Sequence, residues 1–396
     1  MRSITTEERR ARLAVRHHLA APAENVAQAA GDMVGLHSSD PATVYLSARA
    51  RIPGLEQGDV EAALYDQRSV VRILGMRRTL FVVPAGDAAI IHHSSTLALI
   101  PAQLRRTAGM IESAGLATEG AAWVSEVSQR VMDALRRRGE ATATELTQDV
   151  PELGEKLVFY KRDGSVMGTS GVSTRILFLL ALEGKVVRGR PKGTWVSSLY
   201  RWAPLEDWMG RPMAEMGREE AQAALLTRWL RAFGPATEVD MKWWTGWPVT
   251  QVRTALENIG AVEVRLSAGV GHVLDDDVEP VSAPGPWVSL LPSLDPTPMG
   301  WKQRDWYLGP HHPRLFDRNG NAGPTIWVEG RIVGGWSQRS DGEIVWELLE
   351  DVGSETLAEI AGQAARLEEW LGDKVVIPRF RSVSDLELAG GSKSLA

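Results

Sequence analysis

The sequence predicts an α+β protein made of three tandem winged-helix units and a C-terminal region of short strands, a small β-barrel or sandwich. Three observations predict it. Apolar residues recur at helical spacing through most of the first 275 residues. Each of three helical groups then runs into short β segments, at Val70–Pro84, Gly184–Val196 and Ala261–Leu266, and the first two have arginines at the turn. After Asp275-Asp276-Asp277 the texture changes: Pro and Gly become frequent, and short apolar runs alternate with turn residues.

In the first unit (1–120), helices are expected over Thr5–Ala21, Ala23–Leu36, Pro41–Arg51 and Gln57–Asp66, the third ended by Pro53-Gly54. Val70–Leu74 and Leu80–Pro84 read as strands around the basic turn Arg77-Arg78, and Ala88–Ala108 as a helix interrupted by Pro101. In the second unit (121–205), Val124–Arg138 is an amphipathic helix closed by Gly139, and Thr142 or Thr144 caps the next. Lys161–Gly164 is a basic turn, and Ser173 or Thr174 caps a helix through Leu182. Gly184–Val196 then alternates as a hairpin, with Arg188, Arg190 and Lys192 near its turn. The third unit (206–275) reads as helices Arg218–Phe233, Ala236–Trp244 and Pro248–Ile259, then a strand Ala261–Leu266. In the last region (276–396), strands are expected at Trp287–Leu291, Pro324–Val328, Arg331–Trp336, Glu343–Leu348 and Val375–Pro378, with a helix over Ser354–Leu371 and a loose tail from Ala389.

Composition narrows the function. The absence of cysteine excludes thiolate catalysis, disulfides and iron–sulfur clusters. No His-Glu-x-x-His, Gly-x-Gly-x-x-Gly or Gly-Lys-Ser/Thr phosphate loop occurs, so neither a metal nor a cofactor is expected, and the pairs His17-His18, His92-His93 and His311-His312 read as surface or capping residues. The N-terminus has no signal-peptide core, and the longest apolar run, Ile176–Leu182, is too short to span a bilayer; a cytoplasmic protein with no membrane partner is expected. The net charge of −6 is uneven, about +4 over the first 200 residues and −10 over the rest. The basic half is therefore the candidate contact surface, with Arg77, Arg78, Arg188, Arg190 and Lys192 at turns where phosphate contact is natural.

One stretch concentrates chemistry: Gly35-Leu36-His37-Ser38-Ser39-Asp40-Pro41, four consecutive polar residues between apolar segments. Pro41 disfavours helical geometry at Asp40, which can cap the helix that follows. The same cluster at the mouth of a helix can also be a reactive site, with His37 as general base, Ser39 holding a water and Asp40 stabilising positive charge.

Five motifs in order carry a resemblance to a known family. They are the Gly35–Pro41 stretch, Met76-Arg-Arg-Thr-Leu80, Lys242-Trp-Trp-Thr-Gly-Trp247, Leu290-Leu-Pro-Ser-Leu-Asp-Pro296 and Asn321–Trp336. The chain resembles the winged-helix bacterial DNA glycosylases that repair interstrand crosslinks and give resistance to DNA-alkylating antibiotics such as azinomycin. The resemblance implies tandem winged helices plus a C-terminal β-barrel around duplex DNA, and monofunctional excision of bulky N7-alkylated purines; a monomer is expected. A purine alkylated at N7 is cationic and leaves readily, so such an enzyme need only hold a water and stabilise an oxocarbenium-like centre. The family's Gln-x-Gln or Gln-x-Asp is replaced here by His37 and Ser39. The alternative is a non-catalytic winged-helix DNA-binding protein or regulator.

Overall fold

The computed structural model describes residues 1–160, 163 and 165–390. It is a mixed α/β molecule in which helices surround five separate small sheets. One arrangement recurs three times: a short extended segment between two helices pairs with a later hairpin. Leu36–His37, between helices Val26–Asp32 and Pro41–Arg49, pairs with Leu80–Pro84, itself paired with Val70–Leu74. Ala141–Thr142, between helices Gly120–Arg138 and Ala143–Asp149, pairs with Tyr200–Pro204, itself paired with Val186–Pro191. Ala236, between helices Arg218–Phe233 and Glu238–Thr245, makes a single bridge to His272 in the hairpin Val262–Leu266/Gly269–Val273. The chain's first strand, Arg2–Ser3, joins this third sheet in parallel, and Ile4 packs on Val264, Leu266 and Val273.

The local signals hold where they are strongest. Thr142 caps its helix reciprocally with Glu145. Pro101, read as an interruption, falls in the first turn of the helix Ile100–Ser113, where its missing N–H costs nothing. Other expectations are corrected. The helix read as capped by Ser173 or Thr174 begins earlier, at Val172, with Gly171 before it. The partner of Val186–Pro191 is Tyr200–Pro204 and not Thr194–Val196, because Trp195 leaves the ladder to bury its ring against Tyr45 and Trp370. A hairpin Lys156–Tyr160/Val166–Gly171 was not foreseen; the basic turn read at Lys161–Gly164 lies, Asp163 apart, outside the described residues. So does the tail beyond Gly390.

The C-terminal strands Val288–Leu291, Thr325–Val328, Arg331–Gln338 and Ile344–Leu348 form an open antiparallel sheet and not a closed barrel. Four strands are too few to close around packed side chains. The helix Ser354–Leu371 packs against both edge strands instead, and a helix Val383–Leu388 covers the strand Arg331–Gln338. Gly335 permits that cover, since a Cβ there would lie 2.5 Å from Ser384 Oγ. The expected strand Val375–Pro378 is not one: Gln338 satisfies its backbone, donating to the Lys374 carbonyl (3.0 Å) and accepting the Val376 N–H (2.8 Å).

Two histidines expected at the surface are buried. His17 sits between the Thr297 hydroxyl (3.0 Å) and the Ala232 carbonyl (3.1 Å), and burial lowers its pKa to about 3. His92 is lowered to about 4, again by burial and then by His93. With His37, described below, three imidazoles are held neutral in the fold while the unfolded chain protonates them near pH 6.5. Their contribution to stability is therefore complete above pH 6.5 and lost as pH falls. By linkage the three together shed roughly 3–4 kcal/mol between pH 6 and pH 5. Chemical denaturation at pH 7, 6 and 5 checks this; a flat profile would refute it.

Candidate functional site

The Gly35–Pro41 stretch is positioned by a reversal that only glycine allows. Val34 and Gly35 both have left-handed backbones (φ 53° and 112°), and a Cβ on Gly35 would press within 3.0–3.2 Å of Val83 and Phe81. The chain then runs along the strand Leu80–Pro84, with His37 opposite Phe81 and the Ser38 N–H donating to the Leu80 carbonyl (2.8 Å). Asp40 ends the extension and caps the helix Pro41–Arg49, Oδ1 accepting the Ala42 N–H at 3.2 Å. Its other oxygen accepts the main-chain N–H of Arg379 at 2.8 Å. Burial pushes the Asp40 carboxyl up from its ordinary value, opposed by these two N–H groups.

Alternation along the extended segment sends neighbours to opposite faces. His37 packs edge-on to Phe81 (5.4 Å), 8% exposed, with a buried Nδ1 that has no partner among the described residues. Burial, then the positive charge of Arg77, lowers its pKa to about 3, so the imidazole is neutral at physiological pH. Ser38 turns the other way and accepts a bond from Arg72 Nε at 2.8 Å. Ser39 is half-buried. Arg72 is a buried guanidinium with no carboxylate partner among the described residues: it stacks on Tyr200 (4.7 Å) and reaches the Tyr65 hydroxyl and the Arg188 carbonyl, both at 3.4 Å. The tyrosine rings and the carbonyl stand in for an anion.

Beyond Tyr200 opens a cleft of 610 Å³ whose lining includes Arg78, Arg106, Arg175, Arg188, Lys192 and Arg379 and, among the described residues, no carboxylate. Tyr200, Trp202 and Phe178 supply aromatic surface, and Arg188 lies over the first two at 5.5 and 5.1 Å. Three of the five cations singled out in the sequence, Arg78, Arg188 and Lys192, therefore meet in one cleft. Arg77 does not join them: it stacks on Trp243 at 4.2 Å. Nor is Arg190 among them, since it is ion-paired to Glu61 (2.5 Å) and Asp66 (2.9 Å). Arg106, Arg175 and Arg379 were missed because none lies at a basic turn: Arg106 and Arg175 sit within the helices Ile100–Ser113 and Val172–Leu182, and Arg379 follows the expected strand Val375–Pro378. The stretch containing Ser39 and Asp40 meets this cleft through Arg379, which lines it while bonding both residues. Among the described residues, no group of three or more His, Asp or Glu side chains could hold a metal ion, and no helix is long and apolar enough to cross a membrane.

A cleft lined by cations and aromatic rings, on a scaffold of small helix-and-hairpin units, has the chemistry that suits phosphates and bases. The sequence matches the model of the AlkZ-like DNA glycosylases over residues 30–370, and the chain belongs to that family. Its fold is similar to that of the Streptomyces sahachiroi DNA glycosylase AlkZ, with a TM-score of 0.73 at 19% identity, covering 95% of this chain and 99% of that one. No curated protein matches the sequence.

Proposed function

We propose that the protein is a monofunctional DNA glycosylase that removes bulky N7-alkylated purines from duplex DNA and unhooks interstrand crosslinks, acting as a cytoplasmic monomer. The three helix-and-hairpin units are read as winged helices that together grip the duplex. Membership of the DNA glycosylase family carries this reading; the carboxylate-free cleft supports it. Arg78, Arg188 and Lys192, joined by Arg106, Arg175 and Arg379, take backbone phosphates. Arg77 and Arg190 serve DNA only by giving up Trp243 and the acidic pair Glu61 and Asp66.

The candidate centre is His37, Ser39 and Asp40. The substrate base is already cationic, so little acid catalysis is needed. A neutral imidazole suits the work that remains, because its Nε2, unlike the buried Nδ1, can accept a hydrogen bond from the attacking water without adding positive charge beside an oxocarbenium-like sugar. Ser39 offers a hydroxyl to the same water, and Asp40 offers negative charge.

One observation favours the second reading, a DNA binder without glycosylase activity: His37 is buried and both Asp40 oxygens are already occupied by main-chain N–H groups. A duplex carrying a single N7-alkylguanine separates the two. Wild type is expected to release the base, scored by alkaline strand cleavage, and His37→Ala to lose on the order of 10²-fold in rate, the low end of the range for a positioned proton-accepting group. Salt-sensitive binding without release by wild type, also on a bulkier adduct, would favour the binder. Release undiminished in His37→Ala would remove His37 from the centre.

A further inference from the structure

The segment between the helices Ser354–Leu371 and Val383–Leu388 has no regular structure, yet its backbone is fixed at several points. Gln338 holds the backbone of Lys374 and Val376, and Ser293 Oγ donates to the Phe380 carbonyl (3.1 Å); the side chain of Arg381 is held in turn by the Asp385 carboxylate (2.5 Å). Arg379 sits between these anchors. Its main-chain N–H donates to Asp40 Oδ2 at 2.8 Å, its Nη1 to the Ser39 carbonyl at 3.3 Å, and its exposed guanidinium lines the cationic cleft. No carboxylate forms an ion pair with that guanidinium among the described residues, unlike those of Arg190 or Arg314. The residue also lies beyond position 370, where the match to the family ends.

We propose that Arg379 is a positioning residue that takes a DNA backbone phosphate on its guanidinium and, through the main-chain bond to Asp40, sets the candidate carboxylate in register with the sugar of the bound nucleotide. This rests on the glycosylase reading above and adds a specific link to it. The phosphate contact is made by the side chain and the carboxylate contact by the backbone of one residue, so the distance between phosphate and carboxylate is set within a single amino acid. The anchors on either side keep the strap from following the DNA. The open Nη positions suit a phosphate, because a guanidinium can hold a carbonyl and an anion together, where an ammonium holds one point charge.

Arg379→Ala removes the guanidinium and leaves the N–H to Asp40 in place, so it is expected to unfold at the wild-type temperature. On undamaged duplex its affinity should fall, and its plot of log K against log salt should flatten by about 0.9, the contribution of one phosphate. On duplex carrying an N7-alkylguanine, single-turnover release at saturating protein should fall on the order of ten- to a hundredfold, as for a reacting group left about 1 Å out of place. Arg379→Lys should restore the salt slope and only part of the release rate. A purely structural role would lower the melting temperature and leave the slope alone. An unchanged slope in Arg379→Ala overturns the phosphate contact, and a flattened slope with an undiminished saturating rate overturns the link to Asp40. Wild type that binds without release overturns that link as well. Wild type that does not bind duplex at all overturns the functional reading, and this inference with it.

Discussion

Replacing Asp295 with alanine is expected to cost about 3–5 kcal/mol of folding stability, a large part of the 5–15 kcal/mol that holds a typical domain. Asp295 and Arg51 form an ion pair from which solvent is wholly excluded on both sides. The guanidinium grips the two carboxylate oxygens at 2.7 and 2.8 Å, and Ser47 adds a third bond at 2.7 Å. Arg51 also reaches Thr297, whose hydroxyl meets His17, so one polar chain joins the end of the first helix, the end of the helix Pro41–Arg49 and the loop between the strands Val288–Leu291 and Thr325–Val328 of the C-terminal sheet. Burial alone would raise the Asp295 carboxyl, but the charge of Arg51 and these bonds outweigh it and hold the group below its ordinary range. Removing the acid leaves a buried cation with no anion, which is the costly half of such a pair. Replacing both members, as in Arg51→Met with Asp295→Ala, should recover much of the loss, because neither charge is then left buried and unpaired. Urea denaturation measures both variants. A single-variant loss under 1 kcal/mol would show that the pair is not what joins these elements.

The second large effect concerns chemistry. Asp40→Asn is expected to lower base release on the order of 10²- to 10³-fold, the range for removing one preorganised electrostatic group from a transition state. The substitution keeps shape, and asparagine caps helices as well as aspartate does. Asparagine has one acceptor oxygen where Asp40 uses two, for the N–H groups of Ala42 and Arg379. One of those donors is stranded, at a cost of about 1–3 kcal/mol, which the protein should survive. A large loss of rate with a small loss of stability therefore assigns Asp40 a charge role. Equal release by Asp40→Asn and wild type would reduce Asp40 to a cap.

Much of this was legible in the residues. The Asp40-Pro41 cap, a cap at Thr142 or Thr144, the turn at Arg77-Arg78 and the helix Ser354–Leu371 are local patterns, and the structure forms each one, with Thr142 as the cap. Elements failed where a distant partner decided. Trp195 reads as part of a strand and leaves it for an aromatic contact 150 residues away in sequence, with Tyr45. Val375–Pro378 is a short β-branched run that reads as a strand, but a glutamine side chain takes backbone bonds at Lys374 and Val376 instead.

The candidate site divides the same way. The sequence by itself determined the cluster His37–Asp40, its place at the mouth of a helix, the basic character of the first half of the chain and the family to which these motifs point. It determined them because capping, alternation and helical periodicity act over a few residues. Only the tertiary structure decided which cations share a cleft. Arg77 and Arg78 are adjacent, yet their left-handed backbones (φ 54° and 64°) send one to Trp243 and the other to the cleft. Arg190 looks equivalent to Arg188 in sequence, but Glu61 and Asp66 meet it from another element. Only the fold, likewise, made His37 neutral and brought Arg379 onto Asp40. Desolvation and ion pairing are set by what packs from elsewhere in the chain, and that information does not reside in the residue or its neighbours.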